Sequence, residues 1–509
     1  MSTLVYRICA LLSLILVRVP IGTNLGLFHL FLALLTGRFL QARGAVIPAL
    51  ANMGLTDAQV RRSEAALCSG RWRASNLLKN WQKIVTEEGR FVPCEYENVQ
   101  PVACDLTAFF RPQLRGLSNK HYVNDAGKPL PTIVFGLSVS VGRVDNGQNN
   151  GQSNGQSNGQ SKSRLGLPRL LLRRVEGESE ALLQKLLIEQ TAKTLAPKQA
   201  LIADAGFSLA GLLEVPDLRF VARVRSNQTA RRSTLPAYKG HGRPPTRGEF
   251  VRPLKGKYKG RTIEATEPDT TEHWTDGKHS LRAEIWNALV MPDPKTENKA
   301  ESKTENKAES KTESKTESKA ESKTESKAES KTESKAESKT ESKAESKTKT
   351  ETKLFRLVAI YDPRYSTPLL LASNLSISAC ALWRLYRDRW AIEQVPLAAK
   401  PILGAERAFV FGKESRYRLP ELALLAGNLL SYIAATEAPV ASGFWDRAAR
   451  PTCGRVRRFL LQDKFSVNCL KLCLENGQLR KKESVTAHLK TGVEGHRRQK
   501  RIQTLKTST

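Results

Sequence analysis

Cysteine is sparse in this chain, with eight thiols in 509 residues at positions 9, 68, 94, 104, 380, 453, 469 and 473. They form no Cys-x-x-Cys pair and adjoin no histidine cluster, which argues against a zinc site and against a disulfide scaffold. Free thiols in a chain this long suit a reducing compartment. Long hydrophobic runs are missing too. The apolar stretches 8–17 and 25–35 are too short to span a bilayer, Arg7, Arg18 and His29 flank or interrupt them, and no small-x-small cleavage site follows clearly. They read as a buried helical hairpin in preference to a membrane or secretory segment, so no membrane partner is expected. Acidic residues are also in short supply, with 50 Asp and Glu against 81 Lys and Arg and a formal net charge of +31. The Lys-X-Glu-X tetrads of residues 295–346 cancel internally, so the excess lies on the rest of the chain. A surplus of that size favours a polyanion as partner, with nucleic acid ahead of an acidic membrane because Lys and Arg are spread along the sequence.

A hydrophobic content of 40% is enough for a sizeable core, and the length allows several domains. Residues 20–90 read as helices, with Thr56-Asp57-Ala58-Gln59 as an N-terminal signal before a Val60, Ala65, Leu67 stripe. Arg61, Arg62, Arg71, Arg73 and Lys79 make these helices basic, as suits DNA contact or an ordinary wet face. Beyond residue 95 the pattern changes to strands at 99–106, 132–141 and 170–175. An Asn-Gly-Gln-Ser repeat at 146–163 has too little apolar surface to fold and is read as a lengthened hairpin tip. A helix at 176–195, a strand at 200–204 ending on Asp204, a short helix at 208–214 and a strand at 219–225 complete an order of three strands, helix, strand, helix, strand. Strands are also expected at 262–266 and 281–290, the latter pairing with 354–361. The tetrad tract between them reads as a solvated loop expansion. Residues 422–434 form an apolar helix expected to cover the sheet.

The densest chemistry lies in Tyr386-Arg387-Asp388-Arg389-Trp390-Ala391-Ile392-Glu393, followed by Lys400. On a regular helix Tyr386, Arg389, Glu393 and Lys400 fall within an arc of roughly 60°, which makes a phosphate-handling surface. Leu382, Leu385, Ile392 and Leu397 mark the buried side of that helix. Pro396 lacks an N–H and clashes with the preceding turn, so the helix is expected to kink there or a second one to begin near Pro396, and Lys400 is displaced from the shared face. Two further acids stand at strand positions, Asp105 near the end of the first strand and Asp204 at the end of the fourth.

These residues resemble the DDE transposases of the ribonuclease-H-like superfamily, in the insertion-sequence branch with the signature Tyr-x2-Arg-x3-Glu-x6-Lys. Tyr386, Arg389, Glu393 and Lys400 fit every spacing, a match with chance odds on the order of 10⁻⁵ per starting position. The resemblance spans about residues 95–440. It implies a mixed α/β (α+β) fold: a ribonuclease-H-like catalytic core with a β-rich insertion, an N-terminal helical domain and disordered low-complexity loops. The expected parts are 1–95, a helical DNA-binding domain; 96–225, the first part of the core; 226–375, the insertion with the tract 295–353; 376–440, the catalytic helices; and 441–509, a basic C-terminal region.

By the same resemblance, Asp105, Asp204 and Glu393 are the catalytic acids and bind two Mg²⁺ or Mn²⁺ ions, which clamp a phosphodiester for cleavage at the ends of the protein's own element and for strand transfer into target DNA. Arg389 and Lys400 are expected on flanking phosphates. Tyr386 is expected to donate to a phosphate or to pack. The partners are double-stranded DNA, as element ends and target, and a second copy of the chain, because two ends must be joined. A cytoplasmic, nucleoid-associated location in a prokaryote follows. Arg223 and Arg225 alternate with apolar residues beside the fourth strand and read as backbone-phosphate contacts or as an exposed strand face. Gly240-His-Gly-Arg-Pro-Pro245 contains a minor-groove core but mostly reads as linker. Trp274 and Trp286 are read as buried in preference to stacking on a flipped base. A metal-dependent nuclease of the same fold and a DNA-binding relic without turnover are the alternative functions.

Overall fold

The two apolar runs near the N-terminus form helices α1 (Thr3–Leu16) and α2 (Thr23–Leu35), and protein covers both. His29, in the middle of α2, is fully buried against the Ser63 hydroxyl at 3.2 Å, and burial pushes its imidazole down to about 4. This is the buried hairpin expected from the sequence. In the computed structural model, residues 3–111, 114, 117–123, 127–144, 164–238, 240–241, 244–258, 261–292, 353–407, 409–447 and 449–462 are described. Contacts divide the chain into two compact units, Met1–Val224 with Leu371–Thr509, and Arg225–Leu370. The repeats at 146–163 and 295–346 and the basic tail beyond 462 lie outside the described residues.

In the first unit, α3 (Arg38–Gln41), α4 (Val46–Ala51), α5 (Asp57–Ser69) and α6 (Ala74–Glu88) follow the hairpin. Thr56 and Gln59 form a reciprocal capping box at the start of α5, satisfying two donors that have no partner within the helix. The sheet of this unit has the order β1-β4-β2-β6-β7-β15, with β3 and β5 also paired to β4. Its strands are β1 (Phe91–Pro93), β2 (Gln100–Phe110), β3 (Lys120–Val123), β4 (Lys128–Val144), β5 (Arg164–Arg173), β6 (Gln199–Ala203), β7 (Phe220–Arg223) and β15 (Leu369–Ser373). β5, β4 and β2 run antiparallel, whereas β6 is parallel to β2 and β7 parallel to β6. Parallel neighbours need a crossover. Helices α7 (Glu180–Ala192) and α8 (Leu209–Glu214) supply the two crossovers.

The second unit carries β8 (Ala230–Arg232), β9 (Phe250–Val251), β10 (Gly256–Tyr258), β11 (Arg261–Ile263), β12 (Thr270–Asp276), β13 (His279–Val290) and β14 (Phe355–Tyr361). β13 pairs antiparallel with β12, β14 and β8, so the expected partnership of 281–290 with 354–361 is present. Trp286 is fully buried in this unit and its indole N–H donates to Glu267 O at 2.9 Å; Trp274 on β12 is half-buried.

The two faces of the first sheet differ. Cys104 on β2 meets Thr191 of α7, whereas Ala103 and Phe109 on the opposite face join a core shared with α1, α2, α6 and α11 (Ser415–Thr436). Between β15 and α11 lie α9 (Ala379–Asp388) and the short α10 (Gln394–Leu397); α12 (Cys453–Gln462) follows α11. Among the described residues α11 alone has the length and apolarity of a membrane span, and 89% of its apolar window is buried inside the protein. It is apolar on all sides because it packs on all sides, as a central helix does. The Trp81 indole donates to Asn428 Oδ1 at 2.8 Å and Asn428 Nδ2 donates to Gly166 O at 2.6 Å, tying α6, α11 and β5 together through buried polar groups. The chain is thus a mixed α+β protein whose sheets are mostly antiparallel.

Candidate active site

Strand alternation places Asp105 on the face of β2 that also carries Phe109, because side chains two apart share a face. The sequence put Asp105 near a strand end. β2 instead continues to Phe110, so Asp105 stands in mid-strand, opposite Leu137 of β4. β6 stops at Ala203 and leaves Asp204 at its tip, where the Ala205 N–H donates to Oδ1 at 2.8 Å. The Leu106 N–H does the same for Asp105, also at 2.8 Å.

The segment bearing the signature is not one kinked helix. α9 begins at Ser378, whose hydroxyl accepts from the Ala381 N–H at 3.1 Å, and regular α-geometry ends at Asp388. Arg389–Ile392 tightens to a 3-10 turn, α10 is a single turn, and Ala398–Ile402 widens to a π-turn that contains Pro401. The change of pitch therefore starts seven residues before Pro396, so proline is not its origin. Two glycines allow it. A Cβ on Gly166 of β5 would lie 2.7 Å from Ala391 O, and one on Gly427 of α11 would lie 2.9 Å from Ala399 N. Backbone rests on backbone at both points, which only glycine permits.

This path gathers the three acids around one guanidinium. Arg389 Nη2 reaches Glu393 Oε1 at 2.7 Å and Asp204 Oδ2 at 3.4 Å, and Nη1 reaches Asp105 Oδ2 at 3.5 Å. The Tyr386 hydroxyl donates to Asp204 Oδ1 at 3.0 Å, and Arg223 Nη1 stands 3.8 Å from the same oxygen. The Arg389 guanidinium also lies over the Tyr386 ring, 5.6 Å from its centroid. The wide π-turn brings Lys400 back to the sheet, with its ammonium 5.2 Å from the Phe109 ring centroid on the face that carries Asp105. Arg225 is exposed in the second unit, and Gly242 and Arg243 of the Gly-Arg-Pro stretch lie outside the described residues.

Charge and burial act in opposite directions here. Burial pushes the Asp105 carboxyl up to about 6, with the Asp204 and Glu393 charges adding to the rise and Arg389 opposing it. Burial also raises Asp204, but Arg389, the Ala205 N–H, Tyr386 and Arg223 outweigh it and hold this carboxyl below the usual range. Burial raises the Tyr386 phenol and lowers the Lys400 ammonium. For Arg389 the lowering by burial is overcome by the surrounding acids, and its guanidinium is held more firmly charged.

Two residues outside the sequence-derived set position the site. Asp388, fully buried, forms an ion pair with Arg164 (Nε to Oδ1, 2.5 Å) and accepts from the Tyr96 hydroxyl through Oδ2 at 2.8 Å, which pins the end of α9 to β5 one residue before Arg389. Its signal in the sequence is a charge on the apolar stripe Leu382, Leu385, Asp388, Ile392. Arg111, on the same face as Asp105, donates to Ala405 O at 3.0 Å and Glu406 O at 2.8 Å and so fixes the chain just after the π-turn.

As they stand, no three acids, histidines or cysteines among the described residues are close enough to share one ion. The guanidinium of Arg389 touches all three carboxylates and occupies the place between them. The donor set nevertheless fits a hard divalent cation: three carboxylates from three segments, already converging on a positive charge. At the N-terminal helices, Arg18, Arg71, Arg73 and Lys79 line a cavity of about 220 Å³ beside Trp72. Compared with protein-family models and with curated proteins, the chain has no significant match to either.

Proposed function

We propose that the protein is a DNA transposase of the DDE type, with a ribonuclease-H-like core that cleaves at the ends of its own element and joins them to target DNA. The observation that carries the reading is the convergence of Asp105, Asp204 and Glu393 on one cationic point, from residues 288 positions apart in the chain, together with the Tyr386, Arg389 and Lys400 of a single signature. The strand order, three antiparallel strands followed by two parallel ones reached through helices, supports the core that the resemblance implies.

In this reading Asp105, Asp204 and Glu393 hold Mg²⁺ or Mn²⁺. When bound, the two ions supply Lewis acidity and an activated oxygen nucleophile for phosphodiester cleavage. The remaining steps belong to the protein. Asp204 is kept ionised by its N–H and hydroxyl donors, ready to bind a cation without first losing a proton. Arg389, with its planar fork, and Lys400, with a compact charge held against Phe109, grip phosphates on either side of the scissile bond. Tyr386 orients Asp204. The surplus of positive charge draws DNA to the site, and its location with the chromosome follows from that affinity.

The test is Mg²⁺-dependent cleavage and joining of DNA ends taken from the sequence that flanks the coding region, where short inverted repeats are expected. Wild type is expected to cut and join, and Asp204→Ala to lose both by about 10²–10³-fold or more, the scale of losing one preorganised electrostatic group. Equal activity in the two proteins would remove Asp204 from the mechanism. Cleavage without joining would favour a nuclease, and DNA binding without either a relic.

A further inference from the structure

We infer that Arg389 is the resident counter-cation of the metal-free site, competing with divalent ions for the same three carboxylates and freed toward DNA phosphate when they bind. The inference rests on the metal-holding role proposed above and adds an order of events to it. Arg389 bonds to one oxygen of each acid through its two terminal nitrogens. Its side chain is only 10% exposed. Its Nε has no hydrogen-bond partner among the described residues, and the guanidinium is held by the three acids and over the Tyr386 ring.

Three carboxylates gathered in a half-buried site repel one another, and an unfilled site would spring apart without a cation between them. Arg389 supplies that cation. The same contacts make it an obstacle: Glu393 Oε1, bonded at 2.7 Å, cannot offer that lone pair fully to a metal, and a divalent ion placed among the acids would sit against a like charge. Metal and guanidinium therefore exclude each other from the centre. Once displaced, a planar donor fork with no remaining carboxylate partner stands beside the ions, where a bidentate phosphate oxygen pair satisfies it. Metal loading thus prepares the phosphate grip, and DNA phosphate in turn favours metal loading by removing the competitor, as linkage requires.

The experiment is Mn²⁺ binding to the full-length protein without DNA, read from the resonance signal of free Mn²⁺. Wild type, Arg389→Gln, Arg389→Lys and Asp204→Ala are compared, with folding checked by circular dichroism. Arg389→Gln is expected to bind Mn²⁺ more tightly than wild type, by roughly 5- to 100-fold, the usual range of a coupling between two ligands. Arg389→Lys is expected in between. Unchanged or weaker binding in folded Arg389→Gln would overturn the inference and leave the metal role standing. Absence of any Mn²⁺ binding that depends on Asp204 would overturn both. A second measurement needs no variant: in wild type, modification of Arg389 by phenylglyoxal, followed by mass spectrometry, is expected to accelerate when Mn²⁺ is added. A rate that does not change would equally sink the inference.

Discussion

Asp105 and Asp204 are the same residue type a few ångströms from the same arginine, yet their surroundings drive them apart. Asp204 has a backbone N–H, a phenol and two arginines to stabilise its charge, whereas Asp105 has one N–H and one arginine against burial and two neighbouring acids. With its carboxyl raised to about 6, Asp105 binds a proton more readily in the folded protein than in the unfolded chain, where the value is about 4. Its contribution to stability is therefore greatest below about pH 4 and is lost as the pH rises through about 6. Urea midpoints of the metal-free protein and of Asp105→Asn, measured from pH 4 to 7, test this. The variant should gain on wild type as the pH rises, and a difference that stays constant across the range would contradict the assignment. The three acids were singled out in the sequence by the resemblance to the Tyr-x2-Arg-x3-Glu-x6-Lys signature and by two acids at expected strand ends. Their unequal ionisation was not legible there, since it depends on neighbours from other segments.

At the scale of elements, the segment from Arg389 to Ile402 decides whether the signature residues meet. A regular helix would carry Tyr386, Arg389, Glu393 and Lys400 on one face; in the tightened and widened turns that replace it, Lys400 lies against Phe109 on the sheet face that carries Asp105. Their form is set by the sheet and helix against which they lie. Gly166→Ala inserts a methyl 2.7 Å from Ala391 O and should cost about 1–3 kcal/mol by overpacking, read from chemical unfolding, with a loss of DNA cleavage beyond what reduced folding explains. Asp388→Ala removes the buried ion-pair partner of Arg164 and the acceptor of the Tyr96 hydroxyl and should cost about 2–3 kcal/mol, typical of a charged contact left unmade. A variant as stable and active as wild type would show that the end of α9 is held by other contacts. The elements themselves, including α9 and the strand ending on Asp204, follow from apolar period and caps. The break at Arg389 does not, because nothing in residues 386–402 announces Gly166 or Gly427.

At the scale of the whole molecule, the dominant quantity is the net charge of +31. A DNA-binding protein that releases counterions loses affinity steeply with salt, by about 0.9 in slope for each phosphate neutralised. Arg71 and Arg73 line the basic cavity near Trp72, so the Arg71→Ala, Arg73→Ala double variant should flatten the dependence of log affinity on log salt by about 2. An unchanged slope would take this surface out of the DNA contact.

By itself the sequence determined the mixed α+β character, the order of the long strands and helices from residue 99 to 225, the burial of the N-terminal hairpin and the residues from which a site could be made. These properties are local, since period, caps and charge excess act within a few residues or add along the chain. The tertiary structure decided that Asp105 lies in mid-strand, that Asp388 is a buried clamp, and that Arg389 sits between the three acids. Each of those depends on which distant backbone comes within a few ångströms, and packing alone sets that distance.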